Sequence, residues 1–148
     1  MNASTLFIED VSAGESLPSL EKQIRLPDMM AYGAATWDFA RIHYDAAHAQ
    51  GQGLAAPVVD GQMLGAYLAQ LVQDWAGPKA FLRSLSFQNR RMVFPGDVLT
   101  CAGSVAGIRH EHGTALVDCD LWIENQNGER VIYPASATVM LPTEGAYR

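Results

Sequence analysis

The hydrophobic pattern changes period along the chain. Between Met63 and Trp75, apolar residues recur at Leu64, Leu68, Leu71, Val72 and Trp75, the spacing of an α-helical face. Gln62, Ala66, Gln70 and Gln73 form a narrow uncharged side. A helix this apolar is predicted to be buried, with a length of about 24 Å at about 1.5 Å per residue. Pro57 and Gly61 bracket the turn before it, and Gly77-Pro78 supplies its stop. Beyond it the period falls to two. Leu85 and Phe87 alternate with Ser84, Ser86 and Gln88 inside a strand over 81–91, and Leu99, Cys101 and Val105 share one face of a strand over 98–108. Val117, Cys119, Leu121 and Ile123 alternate with Asp118, Asp120 and Trp122, and 131–141 alternates through Tyr133, Ala135, Ala137 and Val139. Pro95-Gly96-Asp97, Gly113 and Asn125-Gln126-Asn127-Gly128 provide the reversals.

Ahead of the long helix the pattern is less regular. Residues 1–20 read as irregular, with Leu6-Phe7-Ile8 a candidate edge strand. Residues 21–26 read as a short strand. Pro27-Asp28 opens a helix with Asp28 as its N-cap, and Met29, Met30, Tyr32 and Gly33 lead from there towards Asp38. Asp45 and the alanines of 46–49 predict one helical turn, ended by Gly51 and Gly53. A helical region, one long buried helix and then consecutive antiparallel strands predict an α+β domain, 1–148, with a curved sheet wrapped on the helix.

Composition narrows the function classes. The 148 residues suffice for one domain with a real core. With 49% apolar and 18% charged residues, disorder is not expected. A net charge of −6 and no lysine-rich face argue against nucleic acid as a partner. No signal peptide and no run of membrane-spanning length is read. Cys101 and Cys119 form no CxxC and fall on apolar strand faces, so reduced buried thiols in a cytoplasmic compartment are expected.

The candidate chemistry sits in Thr36-Trp37-Asp38-Phe39-Ala40-Arg41-Ile42-His43-Tyr44-Asp45. A carboxylate and an imidazole five residues apart can share a water, one taking a proton while the other orients it. Eighteen residues beyond His43, Val58-Val59-Asp60-Gly61 opens the long helix, where free backbone N–H groups suit a developing oxyanion. The bland alternatives are a capping Asp38, a structural His43 and a plain turn glycine at 61. His43, Asp45 and His48 have the look of a metal cluster, but Asp45 reads better as a helix N-cap and no metal is expected. His110 and His112 flank a hairpin and read as solvated. Trp37, Phe39, Tyr67 and Trp75 suit an acyl pocket or the core equally. Arg83, Arg90 and Arg91 lie close together in an acidic chain and read as a phosphate site or as solvated strand residues.

These motifs, in this order, resemble the MaoC-like dehydratases, which have a hot-dog fold. The family's D-x-N-P-apolar-H-x-D segment aligns with Asp38 to Asp45 and its apolar-apolar-H-G element with Val58 to Gly61, and its F-x-x-x-x-x-P-G-D-x-L pattern is read from Phe87 through Pro95-Gly96-Asp97-Val98-Leu99, with two more residues before the proline. Arg41 to Asp45, Leu82 to Phe87 and Phe94 to Asp97 are most similar to the branch of type 2 hydroxyacyl-thioester dehydratases and mesaconyl-CoA hydratases. The resemblance implies hydration of a 2-enoyl thioester, or the reverse dehydration, usually through the (R)-3-hydroxyacyl thioester. It implies Asp38 and His43 as the water-activating pair, Gly61 N–H as the oxyanion donor, and no cofactor. Arg41, Arg90 and Arg91 become candidates for the phosphates of coenzyme A, with a structural ion pair the equal alternative for Arg41, and Asp60 and Gln62 complete the candidate substrate-binding set. The implied partners are an acyl-CoA or acyl-carrier-protein thioester and a second copy of the chain, in a homodimer or higher oligomer, or else a different hot-dog chain. Two residues depart from the family. Ala40-Arg41 replaces Asn-Pro, although the closer branch carries arginine there, and Asp60 replaces histidine, where a helix-capping role is expected. The rival readings are a hot-dog thioesterase and a non-catalytic acyl-thioester-binding or assembly subunit.

Overall fold

The computed structural model describes residues 5–147, and the irregular reading of residues 1–4 lies outside them. Five strands form one antiparallel sheet: β1 (Leu20–Gln23), β2 (Phe81–Asn89), β3 (Val98–Glu111), β4 (Thr114–Glu124) and β5 (Arg130–Met140). Their spatial order is β1-β3-β4-β5-β2. The three helices α1 (Leu26–Thr36), α2 (Ala46–Gly51) and α3 (Gly61–Ala76) all precede β2.

The period-two stretches became β3, β4 and β5 because each has one apolar face to bury. Leu99, Cys101 and Val105 point inward from β3, and Val117, Cys119, Leu121 and Ile123 from β4. The hairpins form where the turn chemistry indicates. His112 (φ 49°) and Gly113 (φ 80°) make the two-residue β3–β4 connection. In the next turn, Asn125 Oδ1 accepts from the N–H groups of Asn127 and Glu129 at 3.0 Å each. In β5 the alternation breaks near its start. Val131 and Ile132 are both buried while Tyr133 is half exposed, and the pairing with β4 shifts register here. Tyr133 therefore does not share the inner face of Ala135, Ala137 and Val139, a correction to the sequence reading.

Helix α3 lies across the concave face. Met63, Leu64, Leu68, Leu71, Val72 and Ala76 join the inward strand residues in one core. Gly65 is required by packing: a Cβ there would fall on the Phe87 ring. The opposite side of α3 is open in a single chain, with Gln62, Ala66, Gln73 and Asp74 exposed.

Two further readings near the N-terminus need correction. Leu6-Phe7-Ile8 is not an edge strand. Ile8 opens a 3-10 turn ending at Asp10, its N–H donates to Pro142 O at 3.0 Å, and its side chain anchors in the core. Asp28 is not an N-cap. Helix α1 starts three residues earlier than that cap would place it, with Pro27 in its first turn and Arg25 at the cap. Asp28 instead receives the Arg25 guanidinium, Nε–Oδ2 2.8 Å and Nη2–Oδ1 3.0 Å. The β1 strand ends at Gln23 because Ile24 dips into the core and its backbone binds Gly96 and Asp97.

Gly65→Val is expected to lower the urea midpoint, by an amount equivalent to about 1–3 kcal/mol of overpacking against Phe87. Burial pushes the Cys101 and Cys119 thiols up to about 12, so neither ionises at neutral pH. An aromatic disulfide reagent at pH 8 should therefore modify them only as fast as the domain opens. Immediate reaction of either thiol in the folded protein would contradict this packing.

Candidate active site

Asp38 is positioned by the end of α1. Trp37 closes that helix in the left-handed region (φ 60°), and Asp38 N–H returns to Gly33 O at 2.9 Å. The return is tight. A Cβ on residue 33 would stand 2.7 Å from the Asp38 carbonyl oxygen, so Gly33 is what permits it. The Asp38 carboxylate then accepts from Ala40 N–H at 3.0 Å, which fixes its direction. Residues Arg41–His43 follow as a 3-10 turn.

His43 is held by the segment that leads into α3. Its Nδ1 lies 2.7 Å from Val58 O, while Val58 N–H donates back to Ile42 O at 3.1 Å. A carbonyl oxygen only accepts, so Nδ1 carries the proton and Nε2 of the neutral ring keeps its lone pair. Val59 N–H binds Val93 O at 2.8 Å, tying the same segment to the sheet side. Asp60 then caps α3, its Oδ1 accepting from Gln62 N–H at 2.8 Å. The expected cap is present. However, the Asp60 carboxylate does not turn away from Asp38 and His43. Asp38, His43 and Asp60 each present one oxygen or nitrogen atom within 4.8 Å of the others, all half-buried. Among the described residues this is the one group of three His, Cys, Asp or Glu side chains whose oxygen and nitrogen atoms converge so closely, and they suit a shared water. Asp45 and His48 do not join it. Asp45 caps α2 by accepting from His48 N–H at 3.0 Å, and it pairs with Arg41 at 2.7 Å. Both contacts hold its carboxyl below the usual carboxylate range, the His48 amide foremost.

Gly61 is the first residue of α3, so its N–H has no carbonyl to reach within the helix, and no other described acceptor takes it. It is absent from the positive-φ glycines, so the turn does not require glycine by conformation. The approach is close instead: a Cβ at 61 would stand 2.5 Å from Asn89 Nδ2, so the exposed Asn89 side chain would have to shift.

The trio lies in the wall of a cavity of about 250 Å³ between α1 and the head of α3. Met29, Met30, Tyr32, Phe39, Tyr44 and Met63 give it a largely apolar lining. Of the four aromatics put forward from sequence, Phe39 lines this cavity. Trp37 is 82% exposed, Tyr67 faces a separate groove with Lys22 and Arg25, and Trp75 packs on the core. Tyr32 and Tyr44 were not picked out as site residues. The signal for Tyr32 was available in the run from Met29 to Asp38, where Met29 and Tyr32, three apart, share one side of α1. Burial, and then the Asp60 and Asp38 charges, push the Tyr32 phenol up, so it stays protonated.

The arginines divide. Arg90, Arg91, Asn89 and Met92 line a second groove, about 360 Å³, that also reaches Gly61. There Arg90 Nε donates to Tyr133 O at 2.7 Å, and Arg91 pairs with Glu129 at 3.4 Å. Arg41 is absent from both linings and forms the structural ion pair read as its alternative role, with Asp45. Arg83 is not in the groove either; it pairs with Glu111 at 2.6 Å. The Gln62 side chain is exposed at the first turn of α3.

No curated protein sequence matches the chain. Solved structures do. The (R)-hydratase from A. caviae involved in PHA biosynthesis superposes with a TM-score of 0.82 at 24% identity, covering 90% of this chain and 99% of its own. The ChsH1-ChsH2 complex from Mycobacterium tuberculosis contains a chain with a TM-score of 0.79 at 24% identity, covering 88% and 98%. The MaoC-like dehydratase from Rhodospirillum rubrum gives 0.79 at 21% identity, covering 94% and 98%. These likenesses establish the hot-dog fold. The family model described as "MaoC like domain" matches residues 11–121, which takes in α1, the Asp38–His43 segment, all of α3 and three of the five strands in full. The chain therefore belongs to the MaoC-like dehydratase family.

Proposed function

We propose that the protein is a hydro-lyase that adds water to a 2-enoyl thioester, or removes it from an (R)-3-hydroxyacyl thioester. Membership of the family supports hydration chemistry in general. One observation carries the assignment to these residues. His43 is locked by Val58 O with Nε2 free, and the Asp38 carboxylate lies within 4.8 Å. In this reading the water sits between Asp38 and His43. His43 Nε2 takes a proton as the water oxygen bonds to C3 of the enoyl group. The π electrons move to the thioester oxygen, where the unpartnered Gly61 N–H at the helix N-terminus receives the charge. A proton from the site then joins C2 as the carbonyl re-forms.

The apolar cavity beside Met29, Phe39 and Met63 suits the acyl group. The groove joining Gly61 to Arg90 and Arg91 suits the phosphate-bearing carrier, coenzyme A or the prosthetic group of an acyl carrier protein. Arg41 is left out of that role by its pairing with Asp45. Gln62, exposed beside the capped turn, is kept as a candidate contact to the carrier. The branch of type 2 hydroxyacyl-thioester dehydratases remains the preferred placement. Buried reduced thiols fit a cytoplasmic protein, and no helix of the described residues is long and apolar enough to cross a membrane.

A thioesterase is disfavoured by geometry. Asp74, the one carboxylate on α3 beyond its cap, lies about 20 Å along the helix from Asp60, at about 1.5 Å per residue. A binding or assembly subunit has one observation in its favour, the Asp60 carboxylate next to the oxyanion donor. It predicts acyl-CoA binding without turnover.

The test is loss of enoyl absorbance with crotonyl-CoA and longer 2-enoyl-CoAs. Wild type should turn over, and Asp38→Asn and His43→Ala should each lose on the order of 10²-fold or more in rate with the fold intact. Release of free thiol instead would establish the thioesterase.

We also propose a homodimer or higher oligomer, or pairing with a second hot-dog chain. The nine-residue β2 pairs only with β5 and forms one edge of the sheet, with its Phe81 ring 63% exposed, and one side of α3 is uncovered. Light scattering at micromolar concentration should give at least twice the 16.1 kDa chain mass. A monomer in the presence of candidate partner chains would refute this.

A further inference from the structure

Three hydrogen-bond acceptors meet where the proposed reaction needs one water. With its Nδ1 proton committed to Val58 O, the His43 ring has a lone pair to offer at Nε2, and a carboxylate such as that of Asp38 or Asp60 offers only acceptors. The protein satisfies them sparsely. The Asp38 carboxylate receives the Ala40 N–H and the Asp60 carboxylate the Gln62 N–H; among the described residues no side-chain donor reaches either. The charged and titratable neighbours supply no cation. Tyr32 lines the same cavity from α1 and Tyr44 from the segment after His43, while neutral Asn89 at the end of β2 stands beside Gly61. No lysine or arginine lines the cavity, and Arg41, the arginine nearest in sequence, is held by Asp45.

A water has two protons to give. Placed among three acceptors it leaves one unsatisfied, with two like charges within 4.8 Å of each other. One additional proton on the trio removes both costs. We propose that Asp60 is a third proton-handling residue of this site: with water bound, Asp38, His43 and Asp60 together hold one extra proton, and that proton is delivered to C2. This deepens the hydratase reading and rests on it.

The step balances. His43 Nε2 takes a proton from the water as the C3–O bond forms, and the π pair moves onto the thioester oxygen held by Gly61 N–H. When that pair returns, the proton held with the carboxylates forms the C2–H bond. The proton from water replaces the one given up, so the trio begins and ends each turnover with one. The acid is thus in place before the base has acted, which a lone aspartate–histidine pair does not achieve.

The experiment follows kcat and KM for crotonyl-CoA across pH in wild type, Asp60→Asn and Asp60→Ser. Asparagine and serine are both good helix N-caps, so α3 keeps its start while the titrating group is lost, and thermal melts check this. Wild-type kcat should be bell-shaped, falling at high pH as the extra proton leaves. Asp60→Asn should lose on the order of 10²-fold in kcat, keep KM within about threefold, and lose the high-pH fall while keeping the low-pH one. Asp60→Ser should behave likewise. If either folded variant keeps wild-type kcat and both limbs of the profile, Asp60 is only a cap and the proposal fails while the hydratase reading stands. If wild type hydrates no 2-enoyl thioester of any chain length, the hydratase reading fails, and the proton role fails with it.

Discussion

The site depends on a pair of backbone contacts between two segments that are not regular structure. Val58 O receives the His43 ring, and Val58 N–H binds Ile42 O. Neither the 3-10 turn nor the strand-like approach to α3 has a ladder of its own. Each supplies the other's missing partner, as buried polar backbone requires. Together they join the end of the α1 loop to the start of the long helix. One contact does three things: it orients the imidazole, selects its tautomer and sets its distance from the capped turn that carries Gly61. Because α3 is packed into the sheet through Leu64, Leu68, Leu71 and Val72, that turn has a rigid base. A side chain on a loop thus acquires the precision of the core.

What was legible in the sequence follows from which forces act locally. The helix α3, its glycine stop and the inward faces of β3 and β4 were readable because burial of one face imposes a period. The reversals at Gly113 and Gly128 were readable because positive φ restricts residue type. Errors came where tertiary contacts overrode local signals. Ile8 looked like a strand residue because it is apolar, yet its place is fixed by Pro142 and the core. Asp28 looked like a cap because aspartate often is one, but a guanidinium three residues earlier took its carboxylate. Tyr133 looked inward by counting in twos, and a register shift put it outward.

For the site, Asp38, His43 and Gly61 could be named from their order along the chain and their resemblance to a family. Their convergence could not be derived from spacing alone. Five residues on a straight helix would carry two side chains to different faces, and here the helix ends between Gly33 and Asp38. Asp60 was readable as a cap but not as a neighbour of Asp38 and His43, because that needs the loop geometry. Arg41 illustrates the converse. Its position in the motif allowed a ligand contact or an ion pair, and a carboxylate four residues away decided for the ion pair.

Three glycines show how close approach, more than side-chain chemistry, sets the shape of the site. Gly33 admits the carbonyl of Asp38, Gly61 stands against the amide of Asn89, and Gly65 stands against the ring of Phe87. None of the three has a positive φ, so none is there for conformational freedom. Each removes a Cβ at a contact between the helices and what surrounds them. The first sets where α1 turns back, and so where the carboxylate points. The other two bring the head of α3 down onto β2, so that its free N–H groups sit low against the wall that carries Arg90 and Arg91. A chain in which these approaches were relaxed would keep every polar residue of the motif and lose their common focus. The polar residues make the reaction conceivable, and the missing methyl groups bring them within reach of one another.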